Sequence, residues 1–340
     1  MPLKQLYRRL DLNLVILTAI MVAVMAILAI LLPGQFFSLR NLQSMAYQFP
    51  EFGFLALAMM VAMVTGGIDL SAIANANLCG IAAALILTHA IPEGSSEQKV
   101  LAVMAMAIVA ALTLSLVCGL INGLLISYVA VPAILATLGT MTFYSGIGMA
   151  VTEGKGVVGF PDAFLSIGSG KIWEFPFPLI CFVVAACTVS MALNRTEFGK
   201  SLYLFGANPI ACLFSGIRNH RVTLTAYMIS GLLAGFSSIL MISRVNSAKV
   251  GYGDTYLLQA ILVAVLGGVD PYGGRGKVFG VVMGIIILQA LQSAFTLFGF
   301  TPYAKRLIWG AMLLVVMIIH FIILWYLGKK KLVKVNKTDR

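Results

Sequence analysis

Residues 54–71 read FLALAMMVAMVTGGIDLS, and residues 257–274 read LLQAILVAVLGGVDPYGG. Each is an apolar run closed by two glycines, a β-branched residue and an aspartate. The groups Gly66-Gly67-Ile68-Asp69 and Gly267-Gly268-Val269-Asp270 lie 201 positions apart. The chain is 60% hydrophobic and 10% charged, whereas a soluble domain carries about a quarter charged residues. Repeated runs of about twenty apolar residues cross a bilayer core, so the composition excludes a soluble globular domain. Glycine-interrupted runs at corresponding places in two halves point to a transporter's pathway. Neither run alone comfortably crosses ~30 Å at 1.5 Å per residue. Part of each crossing is therefore expected to be irregular backbone covered by protein or water. Asp69 and Asp270 have two readings, as groups on a solute path or as caps of the helices that follow.

Working outward, hydropathy predicts ten spans, near 12–32, 49–66, 70–89, 99–128, 132–151, 175–193, 221–243, 255–269, 277–298 and 303–327. The fold class expected is all-α, a single polytopic membrane domain over 1–340 with two similar halves. Lys4, Arg8 and Arg9 precede a first run too long for a signal peptide and without a small-residue cleavage site, so it is read as a retained span. With the N-terminus inside, the inner segments hold fifteen Lys and Arg against five Asp and Glu, hence +10; the outer ones hold eight against seven, hence +1. The positive-inside rule then places both termini in the cytoplasm. Segment 194–220 becomes a basic cytoplasmic loop, 152–174 an external loop and 328–340 a basic tail at an anionic lipid surface. The net charge of +11 reads as topology, with no nucleic-acid partner.

No catalytic set is visible. His89, His220 and His320 are scattered, without a nucleophile and base at working spacing. Cys79, Cys118, Cys181, Cys187 and Cys212 show neither disulfide nor zinc spacing. Asn194-Arg-Thr-Glu-Phe-Gly199-Lys200-Ser201 nearly matches a phosphate loop, but the pattern needs glycine at 194. Gly168-Ser-Gly170-Lys171 fails at Ile172, and Gly273, Gly274, Gly276 and Gly280 have the wrong spacing for a dinucleotide loop. No cofactor or metal is expected, and any ATP has to be hydrolysed by a partner. Gly168, in the outer loop, is expected to accept a side chain without disturbing ATPase association.

Polar residues inside spans form stripes at helical spacing: Ser115, Cys118 and Asn122; Thr137, Thr140 and Tyr144; Gln289, Gln292, Ser293 and Thr296. Such stripes face protein or water rather than lipid. Charged rings would suit an ion channel; neutral hydroxyls and amides suit an uncharged polyol. Asp69, Asn122, Thr137, Thr140, Tyr144, Gln289, Gln292 and Ser293 are the candidate path residues. The plainer reading of each is an interhelical hydrogen bond. An ion-coupled transporter is expected to carry a carboxylate deep in a span, and only Asp69 and Asp270, at span ends, come near.

Taken in order, Gly66-Gly-Ile-Asp-Leu-Ser71, Gly119-Leu-Ile-Asn-Gly-Leu-Leu-Ile126, Pro132, Thr137-Leu-Gly-Thr-Met141, Phe198-Gly199, Gly206-Ala-Asn-Pro209, Ser215-Gly-Ile217, Gly267-Gly268 and Gly273-Gly-Arg-Gly276 resemble the ribose/galactose/xylose-type permeases of bacterial ABC importers, over about residues 40–325. The chain departs from that pattern at Ala72-Ile73-Ala74 and at Ala211-Cys212-Leu213-Phe214. The resemblance implies an inner-membrane permease that moves a monosaccharide by alternating access, with ATP bound by a cytoplasmic ABC ATPase subunit. It also implies a second permease copy, equal or unequal, and an external solute-binding protein. A nucleoside, an autoinducer sugar or a branched-chain amino acid are the alternative cargoes, and an ion-coupled secondary transporter the alternative machine. The segment implied to dock into the ATPase is Asn208, Pro209, Ile210, Ala211, Ser215, Gly216 and Ile217, which on its own chemistry reads as a helix with an asparagine N-cap, proline at its first position and a closing glycine.

Overall fold

The computed structural model describes residues 12–91 and 96–318. Residues 1–11 with Lys4, Arg8 and Arg9, part of the 90–98 loop, His320, the last part of the tenth span and the tail 328–340 lie outside the described residues. The fold is all-α, with four strands of two residues each among the described residues. The helices are α1 (Leu12–Leu31), α2 (Leu39–Val64), α3 (Ala72–Ala90), α4 (Glu97–Ser127), α5 (Ala133–Thr152), α6 (Asp162–Ser169), α7 (Phe177–Arg195), α8 (Glu197–Ala207), α9 (Pro209–Phe214), α10 (Asn219–Val245), α11 (Asp254–Leu266) and α12 (Val278–Leu297). Residues 302–318 form α13.

Eight of these, α1 to α5, α7, α10 and α12, are long and apolar enough to cross a membrane. The short α11 and the helix 302–318 fall where the eighth and tenth spans were expected. Hydropathy misplaced the start of the second span. α2 begins at Leu39, ten residues before the expected boundary, because Ser38 caps it by accepting from the Asn41 amide at 3.3 Å. Its 26 residues reach about 39 Å at 1.5 Å per residue. The first glycine-closed run thus ends a helix long enough to cross by itself, and the irregular backbone expected there follows it as the largely buried segment from Thr65 to Ser71. The second run behaves as expected. α11 has 13 residues, about 20 Å, and the chain continues as an irregular segment from Gly267 to Lys277.

α2 and α10 form the centre. From Pro50 to Val64 every residue of α2 is buried, as a helix apolar on all sides requires. α10 closes on α4 through small residues. A Cβ at Gly231 would lie 2.9 Å from the Gly119 Cα, and one at Gly235 would meet the Ser115 hydroxyl. Gly231 and Gly235 thus face Ser115 and Gly119, each pair four residues apart, the spacing that lets membrane helices approach backbone to backbone.

Segment 152–174 is strapped to the bundle. Strand β1 (Val157–Val158) pairs with β4 (Ser247–Ala248), just past α10. Strands β2 (Lys171–Ile172) and β3 (Phe175–Pro176) form a second pair. The Phe160 amide donates to Asn246 Oδ1 at 2.9 Å. Asn246 closes α10 in the left-handed region, φ +54°, which asparagine tolerates.

Candidate functional site

Three candidate path residues, Asp69, Asn122 and Thr140, share one buried network, and Thr137 and Tyr144 bond backbone carbonyls beside it. Thr140 donates to Asn122 Oδ1 at 2.7 Å, Asn122 Nδ2 donates to Ser71 Oγ at 2.7 Å, and the Ser71 hydroxyl donates to Asp69 Oδ1 at 2.7 Å. The Ser71 amide also donates to Oδ1, at 3.1 Å, and Ser230 donates to Oδ2 at 2.7 Å. Thr137 Oγ1 stands 3.0 Å from the Ile68 carbonyl oxygen, and Tyr144 donates to the Cys118 carbonyl at 3.0 Å. Asp69 is 1% exposed, and the three hydrogen bonds its carboxylate accepts are what a buried carboxylate needs to offset its desolvation. The network ties α3, α4, α5 and α10 at one level. Asp69 turns the chain into α3 by taking the Ser71 amide, while Ser71 is the formal N-cap residue.

Asp270 caps nothing. α12 begins eight residues later, after Lys277, and the Asp270 carboxylate takes the Tyr272 amide at 3.0 Å within its own turn. The cap reading is thus corrected for this residue. Gln289, Gln292 and Ser293 stand apart from the network, on α12. Ser293 donates to Asn41 Oδ1 of α2 at 2.8 Å, Gln289 is buried and Gln292 half-buried.

Sequence reasoning missed three polar partners. Ser230, the second anchor of Asp69, carries no local signal because its partner is 161 residues away. Glu51, 1% exposed, lies midway along α2 and pairs with Arg244 of α10 through Nε to Oε1 and Nη2 to Oε2, the latter at 3.1 Å. The misplaced start of α2 put Glu51 at a span edge; it is in fact a carboxylate inside a crossing. It is neutralised there by its guanidinium partner, a geometry suited to a buried pair.

At the end of the bundle that carries 194–220, Asn208 Oδ1 accepts from the Ile210 and Ala211 amides at 3.1 and 3.0 Å. Pro209 opens α9. At the other end the Gly216 amide donates to Leu213 and the Ile217 amide to Cys212, both at 3.1 Å, with Gly216 at φ +77°. That paired closure is the Schellman arrangement. Both caps stand where the residues placed them. Ile210, Leu213 and Phe214 project outward while Cys212 is buried, so a rigid six-residue helix offers an apolar face. The segment is anchored through glycines. The Gly274 amide donates to the Val64 carbonyl at 2.9 Å, and Tyr203 of α8 donates to Gly276 at 2.8 Å. A Cβ at Gly206 would collide with the Val64 carbonyl, and one at Gly273 would lie 2.7 Å from the Gly66 amide. The two glycine loops therefore meet each other, and α8 meets both.

The family description "Branched-chain amino acid transport system / permease component" matches residues 41–317. The chain belongs to that family. It is 32% identical over 272 residues to the "Autoinducer 2 import system permease protein LsrD" of Escherichia coli (strain K12), across 78% of this chain and 79% of the relative. The same values hold for LsrD of Shigella flexneri. No solved structure matches the chain. As a member of this branched-chain-type permease family the protein is a multi-pass inner-membrane subunit of an ABC importer, and the ATPase is a separate subunit.

Proposed function

We propose that this permease moves a small neutral polyhydroxylated solute, a monosaccharide or an autoinducer-type sugar, into the cytoplasm by alternating access. The observation that carries the reading is the similarity over 78% of the chain to permeases of an autoinducer 2 import system. The 194–220 segment and both termini face the cytoplasm. The exposed face of α9, with Ile210, Leu213 and Phe214, docks into the ATPase, and a short helix capped at both ends passes its motion to the spans. A second permease copy completes the path, and an external binding protein delivers solute on the side of residues 152–174. Asp69, Asn122, Thr137, Thr140 and Tyr144 hold the helices that bound the path, since Asp69, Asn122 and Thr140 are linked through Ser71, and Thr137 and Tyr144 engage carbonyls of neighbouring segments. Gln289, Gln292 and Ser293 border it from α12. An ion-coupled mechanism is disfavoured by the state of the two interior carboxylates: Glu51 is paired with Arg244, and Asp69 takes hydrogen bonds at both oxygens.

The test is uptake of labelled D-ribose and D-galactose into liposomes that contain the permease with its ATPase and binding protein. Uptake is expected only with ATP and all components present. Robust uptake by the permease alone under a sodium or proton gradient would overturn the reading.

A further inference from the structure

A cavity of about 310 Å³ opens at the same end of the bundle as α9. Thr65 at the end of α2, Ser127 at the end of α4, Phe205 of α8, and Asn219, Thr223 and Tyr227 of α10 line it. The last three follow at four-residue intervals and so share one helical face. Two of them have unspent hydrogen-bonding capacity. Tyr227 is fully buried and its hydroxyl has no partner; Asn219 Oδ1 has none either. Buried polar atoms are as a rule partnered, so two orphans on the wall of one cavity point to something that fills it.

The lining states the chemistry of the occupant. Among the described residues around the cavity none is Asp, Glu, Lys or Arg. His220 already contacts the Ser127 carbonyl through Nδ1, and its ring stacks on Tyr128 at 5.1 Å. What remains is neutral: a phenol that both donates and accepts, an amide oxygen that accepts, and the Thr223 hydroxyl. The volume equals about ten waters at ~30 Å³ each, room for one sugar ring with a few waters. Gly67 is required by the same arrangement, since a Cβ there would collide with the Tyr227 hydroxyl.

We propose that this cavity binds one small neutral polyhydroxylated molecule from the α9 end, through Tyr227 and Asn219. The inference rests on the import reading for the class of ligand and for the cytoplasmic side, and it adds a site within a single permease chain. The position carries a consequence for coupling. Asn219 Nδ2 donates to the Pro209 carbonyl at 2.9 Å, so a side chain that lines the cavity also holds the first residue of α9.

The test uses the permease with its ATPase in nanodiscs, without the binding protein. Ala133, half-buried on the cavity wall, is replaced in the variant Ala133→Cys, and its reaction with a small thiol reagent is timed against the unmodified chain. D-Ribose or D-galactose at millimolar concentration is expected to slow that reaction at least fivefold. Adding Tyr227→Phe is expected to remove the protection while ATPase association and melting temperature hold, because the Tyr227 hydroxyl, with Thr65 the polar side chain beside it, meets no partner at hydrogen-bond geometry within the fold. Labelling that no monosaccharide slows, or that is slowed equally in the Tyr227→Phe background, overturns the site and leaves a water-filled crevice. ATP-driven sugar uptake by the same complex, with binding protein added, reports separately on the import reading. Uptake without protection removes the site and keeps the importer.

Discussion

Replacing Gly216 with valine isolates the contribution of one cap. The residue sits at φ +77°, and nothing lies within 4 Å of the place where a Cβ would stand. The cost is therefore in the backbone, about 1–2 kcal/mol for a left-handed residue that carries a side chain. α9 has six residues, too few to hold a helix by itself, so the loss is not recovered elsewhere. At tenfold per 1.4 kcal/mol, the capped geometry becomes about five- to thirty-fold less populated. Gly154 is the matched control, because it has φ +73°, equally open surroundings, and a place in the 152–174 segment. Gly168 fails as a control, against expectation from sequence: a Cβ there would lie 2.5 Å from the Arg244 amide nitrogen. The assay is co-purification of the ATPase from membranes that express each variant, normalised to permease. Gly216→Val is expected to lose at least fivefold of the bound ATPase and Gly154→Val less than twofold, with both permeases expressed normally. If Gly216→Val retains its ATPase and its uptake, residues 208–217 do not form the docking surface.

Glu51→Gln leaves Arg244 without its charge partner and is expected to cost about 3 kcal/mol, the low end for a broken buried pair, because Arg244 keeps 30% of its side chain exposed. Thermal unfolding in detergent reads it, and an unchanged midpoint would show that the pair is not formed. Ser230→Ala removes one of the bonds to Asp69, worth about 1.5–3 kcal/mol for a charged acceptor; a loss below 0.5 kcal/mol, itself about the smallest net value of a hydrogen bond, would argue that the network is not closed. Gly206→Ala forces a methyl group onto the Val64 carbonyl, and uptake should fall at least tenfold even where the ATPase still binds; normal uptake would refute the tight junction. For topology, Lys155→Cys should react with an impermeant thiol reagent in intact cells and Ile210→Cys only after permeabilisation. The opposite pattern inverts the chain.

Local chemistry made α9 legible. Asn208, Pro209 and Gly216 act on amides one to three residues away, so their order in the sequence is already the structure. The crossing helices were legible by hydropathy, except where a polar stretch is helical. Residues 40–48 contain Arg40, Asn41, Gln43, Ser44 and Gln48, and that polarity hid the first part of α2 and with it the interior position of Glu51. The network around Asp69 was half legible. Asn122, Thr137, Thr140 and Tyr144 lie on recognisable stripes, but Ser230 looks like any serine in an apolar helix until α10 is laid against α3. The α12 stripe shows the limit of the argument: the same spacing that marks a polar face does not say whether it meets the network, as α4 and α5 do, or Asn41 of α2, as Ser293 does.

The contact among Gly66, Gly206, Gly273 and Gly274 is made of peptide backbone alone. Interlocked side chains dissipate small displacements by changing rotamer, as a loose gear train loses the first part of each turn to play. Peptide planes have no such slack. A shift of α8 toward this junction therefore meets main-chain atoms at the end of α2 and in the turn before α12. A single methyl group at this junction has no rotamer with which to yield, so the main chain itself must move to admit it.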